Sequence, residues 1–210
     1  MAEVTAKAYS ELIHTPLYGQ LRILREQKYP KQTDGQFRIP YYQPALRCIR
    51  KYYQTNNDPV HLPSNAGGLA GCGTVQSRID HNLRAVNAFR NGSQFPRPFA
   101  PQKVSTLEHT IHGVTIRFTP DLVALESAAQ VPKFVMYNCS SQAPEAEIIR
   151  TTVELAHYIL EQNGVIVPLR QVEYICLDSD TVHRFTTRRA ATITRANQTA
   201  AAINAMWAGI

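Results

Sequence analysis

Apolar residues return at helical spacing from the start of the chain, at Leu12, Leu17, Leu21 and Leu24, and Pro16 interrupts the run. A proline ring clashes with the preceding turn and removes a backbone donor, so residues 4–29 are expected to form two short helices with a break between them. Residues 30–44 are polar and rich in turn formers, which predicts a loop, and residues 42–53 predict a short basic helix. Pro59, Pro63, Gly67, Gly68 and Gly71 crowd residues 56–73 and predict a linker. From about residue 74 to residue 89 the stripe Ile79, Leu83, Val86 predicts another helix, stopped by Asn91–Gly92. The prolines at 96, 98 and 101 predict irregular chain over 93–102.

Beyond that point the period changes. Val114, Ile116 and Phe118 alternate with Thr115, Arg117 and Thr119, the period of a strand with one face buried. Residues 104–111 pair with it as a hairpin whose tight turn is His112–Gly113. Residues 133–138 are almost wholly apolar, as a central strand covered on both faces would be. Residues 143–163 give the strongest helical stripe, with Pro144 suited to the first turn and Gly164 to the end. A strand over 172–177 and an alanine-rich helix over 190–207 complete the order. The expected fold is α/β, a mixed central sheet flanked by helices. Residues 1–73 are expected to form an N-terminal helical extension and linker, and 74–210 the core.

The net charge is +6, and arginine supplies sixteen of the twenty-two basic residues. Arginine grips phosphate bidentately and stacks on flat rings. Residues 181–210 contain no acid, but hold Arg184, Arg188, Arg189 and Arg195. Residues 22–51 interleave basic side chains with Tyr29, Phe37, Tyr41 and Tyr42, a mixture suited to phosphate contact and base stacking. Nucleic acid, DNA first, is therefore the expected partner, through Arg117, Arg150, Arg184, Arg188 and Arg189. A solvated basic surface with no ligand would look the same. No apolar run approaches the roughly 20 residues needed to span a bilayer, so no membrane partner is expected. The four cysteines lack zinc-finger spacing and read as buried thiols, which with the absence of a signal peptide predicts a cytoplasmic protein.

Four features together resemble the PD-(D/E)xK nuclease superfamily, most closely its RecB-like branch. Pro120–Asp121 closes a hairpin strand, where that family places its first catalytic aspartate. The apolar strand ending at Cys139 stands where the family carries acid-x-lysine, with Tyr137 and Cys139 in those two places. Glu154 and Tyr158 look like the branch's Q-x-x-x-Y motif with Glu for Gln, and His81 lies on a helix that in this branch can give a metal ligand. The resemblance implies a restriction-endonuclease-like core.

Phosphodiester hydrolysis on such a core needs a hard divalent cation held by carboxylate oxygens, and a lysine that helps activate water. Tyrosine stays protonated at neutral pH and cysteine is too soft for magnesium. A lone Asp121 makes a poor cage. The primary expectation is a nucleic-acid-binding protein with a degenerate nuclease site and no cofactor, serving with protein partners in a larger DNA-processing or mobile-element complex. The alternative is an active deoxyribonuclease using Mg or Mn, with a rearranged site of Asp121, Lys133 and Glu145 or Glu147, and His81 as a further metal ligand. A third reading is an interaction protein whose fold only supports a partner surface.

Overall fold

The computed structural model describes residues 2–29, 40–69, 72–73, 75–126 and 131–210. The fold is mixed α/β: two mixed sheets flanked by six α-helices among the described residues. The expected loop over 30–44 lies mostly outside the described residues, as does residue 74.

The smaller sheet has the order β1 (Ala2–Thr5), β4 (Val114–Phe118), β3 (Leu107–Ile111). β1 runs parallel to β4, and β3 and β4 form the expected hairpin. His112 and Gly113 both take positive φ (44° and 78°), which matches the turn to the twist of its strands. A Cβ on Gly113 would stand 3.0 Å from Asn204 Oδ1, so both backbone and packing favour glycine there. β1 falls where a helix was expected to be starting. Its buried Ala2 and Val4 alternate with exposed Glu3 and Thr5, and the helix begins only at Ala6, with the Thr5 hydroxyl capping the Ala8 amide.

The larger sheet has the order β2 (Phe99–Pro101), β5 (Leu122–Glu126), β6 (Lys133–Asn138), β7 (Val172–Cys176), β8 (Thr181–His183). β6 and β7 are parallel, joined by α5 (Ala146–Gln162), and the other pairs are antiparallel. Two expectations change here. A single central sheet was expected, but β4 and β5, separated only by residues 119–121, belong to different sheets. The strand before Asp121 is therefore not the neighbour of β6; β5, which follows Asp121, is. Short β2 and β8 add edges that the proline-rich and polar segments had not suggested.

Side chains alternate across β6 and divide the core. Phe134 and Met136 face a cluster built with α1 (Ala6–His14), α2 (Leu17–Lys28), α5, α6 (Ala190–Trp207) and the smaller sheet. Val135 and Tyr137 face a second cluster built with α3 (Gln43–Gln54) and α4 (Gln76–Asn91). α5 buries Ile149, Val153, Leu155, Ala156, Ile159 and Leu160 and ends at Gly164, whose φ is 77°. Residues 1–73, expected as an appended extension, are woven into both clusters. Tyr9 and Leu12 are fully buried in the first, Ile49, Tyr52 and Tyr53 are buried in the second, and β1 is a sheet strand. No helix among the described residues is long and apolar enough to cross a membrane.

Candidate functional site

Asp121 sits where the chain leaves one sheet for the other. Pro120 brings no backbone donor, and the Asp121 amide makes the first rung onto β6 by donating to Val135 O at 2.8 Å. The carboxylate then accepts from the Tyr137 amide through Oδ2, also at 2.8 Å. A side chain thus extends the ladder where β5 has not yet begun.

Two cations close on this carboxylate. Lys7, in the first turn of α1, places Nζ 3.7 Å from Oδ2 and donates to Tyr137 O at 3.0 Å. Arg50, on α3, donates from Nε to the Asp121 carbonyl and holds a terminal nitrogen 3.9 Å from Oδ1. Helices packed in different clusters therefore meet at one side chain. Beside them opens a cavity of about 710 Å³ whose wall includes Lys7, Gln43, Arg50, Arg117, Asp121 and Met136. Glu108 is a second carboxylate on that wall, but Arg117 holds it at 2.7 Å.

The strand register corrects which β6 residues belong to the site. Leu122 pairs with Val135, so Asp121 stands across from Met136. Met136 lines the cavity, and Asn138 is the next position of the same parity. Tyr137 and Cys139, which the resemblance puts in the acid and lysine places beside Asp121, lie instead in the cluster against α3 and α4. A shift of one residue reverses a strand's faces. Burial raises the Tyr137 phenol well above its ordinary value. Burial, then the Asp121 charge, pushes the Cys139 thiol up to about 12. Both groups therefore stay protonated near neutral pH unless a metal displaces the proton.

The residues that share the aspartate's parity do not fit a hard divalent cation either. A thioether is a soft ligand. The Asn138 amide is engaged locally, donating to Gln142 O at 3.1 Å and accepting from Ser140 N at 3.3 Å. Among the described residues no group of three or more His, Cys, Asp or Glu is placed to hold a metal ion.

The other expected site residues lie elsewhere. Lys133 is at the far end of β6, 2.6 Å from Glu173 and 3.2 Å from Glu126. Glu145 stands at the N-cap position of α5 with no capping bond from its side chain, and Glu147 in the first turn pairs with Arg189 at 2.7 Å. Neither glutamate lines the Asp121 cavity. Glu154 is fully buried and takes Arg150 Nε at 2.9 Å, the Arg189 amide and the Thr192 hydroxyl, tying α5 to the start of α6. Tyr158 meets His109 edge-on at 5.3 Å and lies under the Arg188 guanidinium. His81 bonds the Tyr41 hydroxyl at 2.8 Å, on the outer side of α4.

The five arginines expected to hold nucleic acid all carry ion pairs. Arg117 holds Glu3 and Glu108, Arg150 holds Glu154, Arg184 holds Glu173, Arg188 holds Glu161, and Arg189 holds Glu147 and Glu154. Sequence reasoning missed Lys7, Arg50, Met136 and Asn138. The signal for Met136 and Asn138 was the parity of Asp121, which could be used only once β5 had been recognised. Compared with protein-family models, with curated proteins and with solved structures, the chain finds no match in any of the three.

Proposed function

We propose that this protein binds nucleic acid, DNA first, on a nuclease-like core whose catalytic site is degenerate. The observation that carries this reading is the clasp on Asp121. A nuclease of the resembled type would need at least two carboxylates around a divalent cation there. Among the described residues Asp121 has two side-chain cations beside it, and Glu108, the other carboxylate on the cavity wall, is held by Arg117. On β6, Met136 and Asn138 share the parity of Asp121, and neither a thioether nor an amide supplies the carboxylate or the lysine that such a site uses.

The same arrangement favours holding a phosphate. Lys7, Arg50 and Arg117 outnumber Asp121 and Glu108 on the cavity wall, and Lys7 is 43% exposed. α3 carries Arg47, Arg50 and Lys51 and no acid. Its buried residues Ala45, Ile49, Tyr52 and Tyr53 leave Arg47 and Lys51 on the outward side and Arg50 at the edge of the Asp121 cavity. A phosphate backbone lying along this ridge would replace weak intramolecular attractions with contacts that release counterions.

Fluorescence anisotropy with labelled single- and double-stranded DNA and with RNA tests the proposal. Binding is expected to weaken steeply with salt, and Lys7→Ala and Arg50→Ala are each expected to reduce the salt slope by about one. Absence of binding to all three, or cleavage on adding Mg or Mn that Asp121→Ala abolishes, would overturn it.

A further inference from the structure

α3 separates two concavities. One edge, Gln43, Leu46 and Arg50, borders the Asp121 cavity. The other edge borders a separate groove of about 330 Å³ with Arg47, Cys48 and Lys51 on one wall and Val60, His61 and Pro63 on the facing one. The facing wall is a 3-10 turn, Pro59–His61, started by Asp58, whose carboxylate accepts the Val60 amide at 3.0 Å. That cap occupies the acid nearest in sequence, and among the described residues no carboxylate lines the groove.

What gives the groove meaning is that its basic side chains share one concavity whose described lining holds no carboxylate. Elsewhere many arginines are held by a carboxylate, including all five that the sequence singled out. Arg47 and Lys51, one helical turn apart, have no ion-pair partner among the described residues, and neither does His61. A concave place with a forked guanidinium, a compact ammonium and an imidazole, and nothing negative to satisfy them, is complementary to a small polyvalent oxyanion. Val60, 72% exposed, gives the same groove an apolar lip on which a sugar or base can rest.

We infer that this groove is a second phosphate-binding site, held by Arg47 and Lys51 with His61 opposite. Its ligand is a phosphate group, whether a terminal monoester or an internal diester of a bound strand. Where the ligand is a strand, the inference rests on the nucleic-acid reading above. The oxyanion itself does not require that reading.

Cys48 supplies a reporter already in place. It is the half-buried cysteine, whereas Cys72, Cys139 and Cys176 are buried. Burial raises its thiol, and the nearby Lys51 charge pulls it down. Alkylation of Cys48 by iodoacetamide, followed by mass spectrometry on the whole protein, can be timed with inorganic phosphate, with chloride at matched ionic strength, and with 5′-phosphorylated and 5′-hydroxyl oligonucleotides. Phosphate is expected to slow modification at least threefold relative to chloride, and the surface double variant Arg47→Ala/Lys51→Ala to remove the effect. Protection by the 5′-phosphorylated strand alone assigns a terminal monoester; equal protection by both strands assigns a backbone diester. Protection by phosphate with no response to either strand supports the groove while counting against a strand as its ligand. Binding of strands by anisotropy with no protection of Cys48 by any probe overturns the groove and spares the nucleic-acid reading. Protection that survives in the double variant also overturns it.

Discussion

The two ends of β6 each carry a carboxylate surrounded by cations, and they have different consequences. At the Lys133 end, Glu173 is fully buried and takes Arg97 at 2.7 Å, Lys133 at 2.6 Å and Arg184 at 2.8 Å, while Glu126 takes Arg97 and Lys133. Burial alone would raise the Glu173 carboxyl, but hydrogen bonds from Arg97 and Lys133 outweigh it and hold the group below its ordinary value. At the Asp121 end the cations stand farther off, at 3.7 and 3.9 Å, and a cavity opens beside them. Short, enclosed, mutually satisfied pairs are structural, because replacing any partner leaves a buried charge. Long pairs at the edge of a cavity can be exchanged for a ligand. The comparison assigns Lys133 to the first kind and Lys7 and Arg50 to the second.

The largest effect should come from breaking the enclosed end. Glu173→Ala leaves Arg97 and Lys133 with only the partly exposed Glu126 between them and is expected to cost about 3–5 kcal/mol of stability, read from the denaturant midpoint. Asp121→Ala removes an acceptor that is only 15% exposed but is held by longer pairs, so about 1–2 kcal/mol is expected. Equal losses at the two ends would dissolve the contrast.

Acid sharpens it further. A carboxyl held below its ordinary value binds its proton more weakly in the folded chain than in the unfolded one. Its contribution is therefore present above the unfolded value, 4.5, and disappears as pH falls through the folded value. Thermal melts of the wild type should drop on acidification below that point, and Glu173→Gln should flatten this part of the profile.

How much of this could be read from the chain depends on how local each signal is. α5 was legible because a full apolar stripe, Pro144 and Gly164 agree along one segment. The β3–β4 hairpin was legible from its alternation and its His112–Gly113 turn. β5 was not, because Pro120–Asp121 reads equally well as the end of one strand or the start of the next. Without β5 there is no register, and without a register Tyr137 cannot be told from Met136. β1 is too short to display a period before the helix begins. The clasp itself is a long-range event: Lys7 reaches a carbonyl 130 residues away, and Arg50 one 71 residues away. Nothing in either local sequence announces the aspartate it meets.

The smallest effect tests the central claim most directly, because the competing readings give it opposite signs. Asp121→Asn keeps an oxygen for the Tyr137 amide but removes the negative charge facing Lys7 and Arg50. Affinity for labelled DNA should be measured for wild type and variant, in Mg or Mn, with the strands checked for cleavage. The variant should bind about fivefold more tightly, since unit charges about 4 Å apart in water interact by roughly 1 kcal/mol, and both proteins should leave the DNA intact. Weaker binding by the variant, together with metal-dependent cleavage by the wild type alone, would contradict the account.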